Sequence, residues 1–252
     1  MRPGTMKLPA IILGIGLAAC SHDTGFKKAT PAVQAATNMQ LAIEYMKLGK
    51  LSNSRDLMER ALAEDPGNAD VQMTAGLLYE RLNEMPKAER AYSTGYRLGK
   101  GDPNIQNTYA GFLCRTGKAA AGEKLFAEVA RNPLYQTPEV ALVNAGVCVR
   151  ATGDLVDAER YFSRALAVHP NLPEAMVQLG TIALDRGDAA QARDLVERYL
   201  AANPPTSEVL WLGVRAERKL GDATAAAAYA RRVQAEFPNS EQAQMMRTGI
   251  DR

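Results

Sequence analysis

Three prolines, Pro170, Pro204 and Pro238, lie 34 residues apart, and each closes a stretch of helical apolar periodicity. Pro66 precedes Pro170 by 104 residues, which is three such periods and two residues over. This spacing constrains the chain more than any other feature. A unit of this length has room for two short antiparallel helices and little else. Such a unit cannot bury its apolar face alone, so neighbouring units must stack. Laid out on the period, the chain divides into blocks 35–68, 69–102, 103–138, 139–172, 173–206 and 207–240, with a short tail at 241–252 that can add a capping helix.

The blocks share an ordered set of residues. The first carries Leu41-Ala42, Tyr45, Gly49, Ser54, Met58, Ala61 and Pro66. The second has Ala75-Gly76, Tyr79, Ala88 and Tyr92, with Lys100 in the proline's place. The fourth has Ala145-Gly146, Val149, Gly153, Ala158, Phe162, Ala165 and Pro170. The third, fifth and sixth keep parts of the set, the sixth displaced by one residue at Leu212-Gly213. The small residue, as in Gly76, Gly146 and Gly180, suits a close crossing of the two helices of one unit. The glycine at 49, 117, 153, 187 or 221 suits a left-handed exit from the first helix. This pattern resembles the tetratricopeptide repeat (TPR). The fold predicted is all-α: a right-handed superhelix of about six helix–turn–helix repeats. Block 103–138 has two residues more than the period, in Asn132-Pro133-Leu134-Tyr135-Gln136-Thr137-Pro138. Its two prolines read either as a local break in the superhelix or as a simple loop insertion.

Residues 1–19 read as a lipoprotein signal peptide. Arg2 and Lys7 give a short positive region, Leu8 to Ala19 is apolar, and the stretch is too short to span a bilayer. Met6 serves equally as the start. Leu17-Ala18-Ala19-Cys20 resembles a bacterial lipobox, which makes Cys20 the lipidated first mature residue; the alternative is an ordinary small-residue cleavage site. The anchor would be effectively permanent. Ser21 after the cysteine resembles outer-membrane sorting signals, so the expected location is the periplasmic face of the outer membrane. Residues 20–34 read as a polar, lipidated tether.

Composition removes several functions. The chain has 30 Lys+Arg against 28 Asp+Glu, and outside the first 19 residues the two balance, so no basic excess points to nucleic acid. Two histidines, His22 and His169, and three cysteines give little from which to build a metal site or a nucleophile. Gly14-Ile15-Gly16 and Gly99-Lys100-Gly101 follow no strand and are not phosphate loops. No catalytic residue, metal, cofactor or small-molecule substrate is predicted. With Cys20 given to lipid, Cys114 and Cys148 remain as an even pair on the first helices of adjacent repeats. An exported chain meets oxidising conditions. The insertion leaves the two cysteines two positions out of register, so a bridge requires their Cα atoms to come within ~7 Å. The expectation is a disulfide, against two buried free thiols.

The remaining candidate is the concave groove lined by the first helices. Helical spacing points Met39, Ile43, Met46, Met73 and Leu77 of the first two repeats into it, with Val140, Val143, Val147 and Val177 of the fourth and fifth. A methionine-rich apolar groove suits a protein segment; the alternative is that half of these side chains pack between repeats. In the last repeat Trp211, Arg215, Arg218 and Lys219 form an aromatic–basic patch, read either as a receptor for an acidic segment or as a solvated end face.

Specific stretches carry a narrower likeness. Asn107-Thr108-Tyr109-Ala110-Gly111-Phe112-Leu113-Cys114, the junction Asn132 to Pro138 followed by Asn144-Ala145-Gly146-Val147-Cys148, and the closing Glu236-Phe237-Pro238-Asn239-Ser240-Glu241 resemble the PilF/PilW pilotin and stability family of type IV pilus biogenesis lipoproteins. The resemblance covers essentially the whole chain and adds Asn107 to the groove. It implies a lipid-anchored, non-enzymatic protein whose partner is a segment of the outer-membrane secretin, acting in secretin targeting and multimerisation or in fibre stability. A scaffold lipoprotein of another envelope assembly machine is the competing reading.

Overall fold

The computed structural model describes residues 29–249, and among these there are thirteen helices and no strands. Twelve helices form six antiparallel pairs: α1 (Pro31–Lys47) with α2 (Leu51–Glu64), α3 (Ala69–Arg81) with α4 (Met85–Leu98), α5 (Pro103–Arg115) with α6 (Ala119–Val129), α7 (Pro138–Arg150) with α8 (Leu155–Val168), α9 (Pro173–Asp185) with α10 (Ala189–Ala202), and α11 (Ser207–Leu220) with α12 (Ala223–Glu236). The tail adds α13 (Glu241–Thr248). The signal segment, Cys20 and the tether up to residue 28 lie outside the described residues.

Local chemistry sets the helix ends. The Asn68 side chain accepts from the N–H groups of Asp70 and Val71, and Asp154, Asp188 and Asp222 cap α8, α10 and α12 in the same manner. The turn inside each pair needs a left-handed residue. Five repeats use the glycines named above, with φ between 70° and 90°, and the second repeat uses Asn83, φ 58°. The helical start differs from the sequence reading. Residues 31–34, assigned to the tether, are the first turn of α1, because Thr30 caps it, accepting from the Val33 N–H at 3.4 Å, and Pro31 is suited to the first helical position.

Packing repeats from pair to pair. Gly76 lies under the ring of Tyr92 and Gly146 under Phe162, where a Cβ would come within 2.8 Å and 2.6 Å of ring carbons. Gly180 departs from the expectation that it marks a crossing within its own pair. The side chain pressed on it is Leu212 of the following repeat. Val196 occupies the place of Tyr92 and Phe162 and is too short to fill that space. Ion pairs stitch neighbouring repeats on the outer edge: Arg55 with Glu84, Lys118 with Glu89, and Arg186 with Glu159.

The insertion at 132–138 is a loop and not a break. Asn132 ties it by accepting from the Leu134 N–H at 2.9 Å, and Tyr135 turns inward onto Val129 and Ala141. The aromatic ring fills the gap that two extra residues open, so α5 and α7 stay side by side.

Candidate functional site

The first helices of repeats two, three and four line a cleft of about 580 Å³. Its walls follow helical spacing: Asp70, Met73, Thr74 and Leu77 on α3, then Asn107, Thr108, Gly111, Cys114 and Arg115 on α5, then Asn144, Val147, Cys148 and Ala151 beside or on α7. The rings of Tyr92 and Phe126, from the second helices, reach through to the floor.

Cys114 and Cys148 are disulfide-bonded with their Cα atoms 5.5 Å apart, and both residues line this cleft. The loop around Tyr135 absorbs the insertion and brings the two helices close enough for the bridge. Beside the bridge, Asn144 Nδ2 donates to Asn107 Oδ1 at 3.3 Å. Each amide retains further hydrogen-bonding capacity toward the groove. At the other wall the Glu80 carboxylate accepts from Arg115 Nε at 2.6 Å, from Arg115 Nη2 at 3.0 Å and from the Tyr92 hydroxyl at 3.0 Å. The Arg115 hydrogen bonds hold the Glu80 carboxyl below its ordinary range. Burial, with the Glu80 charge beside it, pushes the Tyr92 phenol up.

This network has a pH consequence. A carboxylate whose pKa is depressed by folding stabilises the fold above the unfolded-state pKa, and that contribution is lost as pH falls through the lower folded value. Arg115→Gln is therefore expected to lose stability at neutral pH, by about 1 kcal/mol. It should also lose less than the wild type when the solution is taken to about pH 3. Urea midpoints at the two pH values check this, and parallel acid sensitivity in both proteins would show that Glu80 carries no such share.

Four groove residues named from the sequence, Met73, Leu77, Asn107 and Val147, line the cleft. The others lie elsewhere. Met46 is buried with Met58, Ala61 and Leu78 in the first core, and Met39 and Ile43 pack half-buried against it. Val143 packs on the core of repeats three and four, and Val177 on that of repeats five and six. Val140 is exposed, away from the cleft lining. Trp211 is buried, with the Arg218 guanidinium 5.7 Å from its ring centre, so it is not an open aromatic receptor. Arg215 is half-buried and reaches Thr181 Oγ1 of the preceding first helix at 3.5 Å. The difference has one cause. Successive residues of a helix are only ~100° apart around its axis, so spacing without an anchor residue does not say which of two neighbouring faces turns to the groove. The floor aromatics were missed because they come from second helices; their signal was a large ring paired in register with a small residue.

The arrangement offers hydrophobic contact, amide hydrogen bonds and a fixed charge pair. Among the described residues no group of three or more His, Cys, Asp or Glu is placed to hold a metal ion. A concave surface of this kind suits a protein segment.

Comparison with known proteins agrees with this class. Tetratricopeptide-repeat family models match residues 39–103, 149–213 and 209–240. The chain is a tetratricopeptide-repeat protein, a fold of the non-catalytic, protein-interaction kind. It is similar to the type IV pilus assembly protein PilF of Pseudomonas aeruginosa, with 21% identity over 91% of this chain and 92% of that one. Its fold matches the crystal structure of PilW, a type IV pilus biogenesis factor, with TM-score 0.69, 29% identity, and 84% of this chain and 97% of that one covered. The solved structure of Pseudomonas aeruginosa PilF superposes with TM-score 0.65 at 19% identity, covering 86% of this chain and 97% of that one. Within the repeat class, the likeness along most of both chains supports a type IV pilus biogenesis TPR protein of the PilF and PilW kind.

Proposed function

We propose that this protein is an outer-membrane lipoprotein that acts as a pilotin. It binds a segment of the pilus secretin and assists its outer-membrane targeting and multimerisation. The observation that carries the reading is end-to-end similarity to a type IV pilus assembly protein, with no part of either chain left over beyond a tenth. The lipobox-like Leu17-Ala18-Ala19-Cys20 supports an acyl anchor. The cleft supports a mechanism that is physical and not chemical: Leu77 and Val147 cover apolar side chains of a segment that would otherwise aggregate, and Asn107 and Asn144 hold its backbone. Both apolar residues are solvent-exposed in the free protein, so covering them drives association.

The test uses cells lacking the protein, with the secretin run on an unboiled gel. Loss of the high-mass ring, restored by wild type and not by Cys20→Ala, is the expected result. Leu77→Asp with Val147→Asp, at exposed positions where folding is retained, should fail in the same way while still fractionating with membranes. An intact ring with lost surface pili would move the role to fibre stabilisation. A normal ring together with normal pili would end the pilus reading and favour a scaffold of another envelope machine.

A further inference from the structure

The cleft changes character along its helices. Leu77 on α3 and Val147 on α7 make an exposed apolar side. One turn nearer the N-terminal ends lie Thr74, Asn107 and Asn144, and one turn further along α3 lies Asp70. Two charged residues are in the lining, Asp70 and Arg115. Both hydrogen bonds from Arg115 go to Glu80, so that pair is neutral as a unit. Asp70 is exposed, and among the described residues its carboxylate has no hydrogen-bond or ion-pair partner; its own N–H donates to Asn68. Glu139, Glu174 and Glu208 also stand in first turns, where an acid suits the helix dipole. Of these four acids Asp70 alone opens on the cleft. Beside it, the half-buried Thr74 hydroxyl also lacks a partner among the described residues. Thr37, Thr108 and Thr181 each donate instead to the carbonyl four residues back.

We infer that Asp70 is a specificity-determining residue: the cleft takes a short extended segment whose apolar side chains cover Leu77 and Val147 and whose basic residue, at the end lying over α3, pairs with Asp70. The inference rests on the reading of the cleft as a segment-binding site and names the chemistry of what binds. Charge selects the cation. With Arg115 neutralised by Glu80, the uncompensated charge of the lining is negative and sits at one end. An acidic side chain placed there would meet Asp70 and find no free cation in the lining. Size selects the extended form. Three neighbouring helices at 8–10 Å span roughly 16–20 Å, which an extended chain crosses in about five or six residues. A helix of the same length, 10–12 Å across, occupies roughly 1,300–2,300 Å³, well over the cleft's volume of about 580 Å³. An extended segment alternates its side chains, so every second residue turns to the apolar side. Its free backbone groups then reach the amides of Asn107 and Asn144.

The experiment screens the full-length protein, held in lipid nanodiscs, against a positional-scanning library of synthetic peptides, with affinities read by fluorescence anisotropy. The wild type is expected to prefer Lys or Arg over Glu at one end of the bound motif by at least tenfold, with Leu, Ile or Val at alternate positions. That preference should weaken as NaCl is raised. Asp70→Asn should abolish the charge preference and keep the apolar one, and Asp70→Lys should turn it toward Asp or Glu. Asp70 is exposed, so both variants are expected to keep the wild-type circular dichroism. A basic preference unchanged in Asp70→Lys would overturn the inference, as would a wild-type protein that selects no peptide, or one that selects peptides only in helical form. The secretin ring in cells lacking the protein is read separately. A normal ring there would end the pilotin reading while the peptide preference stood, so the two failures are distinguishable.

Discussion

Replacing both Cys114 and Cys148 by alanine is expected to cost about 4 kcal/mol of stability, the loop-closure contribution of a bridge over 34 residues. In a chain of this size that corresponds to a fall of roughly 8–16 °C in Tm. The loss should be local. The bridge joins α5 to α7, whose side chains share one buried cluster, while repeats five and six close a separate one. In a stack where units contact only their neighbours, stability is shared along the chain and not spread evenly. Hydrogen exchange should therefore rise in α5 to α8 and hold steady in α11 and α12. Because both cysteines line the cleft, binding of the segment proposed above should weaken in this variant before it unfolds. An unfolding midpoint equal to the wild type would show that the bridge closes no loop the unfolded chain leaves open.

Phe162→Ala is expected to cost about 3–5 kcal/mol. Its ring is fully buried and lies on the bare Cα of Gly146. The same contact makes Gly146→Ala harmful: the new methyl would stand 2.6–2.9 Å from three ring carbons, closer than such atoms pack, and a buried ring has little freedom to yield. The cost of this overpacking is about 1–3 kcal/mol. The pair is coupled, so Gly146→Leu with Phe162→Ala should be less damaging than the sum of its single changes by at least about 0.5 kcal/mol. Urea titrations of the four proteins measure this directly, and strict additivity would mean that the glycine serves the backbone and not the ring.

Phe162 and Gly146 also show what made the fold legible. Both stand at fixed places in a 34-residue period: ring and glycine coincide in the second and fourth blocks, and the turn glycine recurs in five of the six. Where a block departs from the pattern, its neighbours still set the register; Asn83 does the work of glycine in the second repeat, where no glycine advertises the turn. The cleft was legible only in part. Leu77 and Val147 were found because they recur on the correct side of their helices, whereas Met46 obeys the same spacing and lies in the core. Tyr92 and Phe126 reach the cleft from helices that repeat logic assigns to the outside.

Sequence alone determined the pairing of helices and the turn positions, because each depends on residues near one another in the chain. Tertiary structure decided the rest. It placed Leu212, and not Val196, on Gly180. It let Tyr135 absorb the insertion that spacing alone left open between loop and break. It set Cys114 and Cys148 at bonding distance and closed one end of the stack with α13. The physical reason is the same in each case. Periodicity states which side chains share a face of one helix, but which face is covered depends on side-chain volumes contributed by helices one or two repeats away.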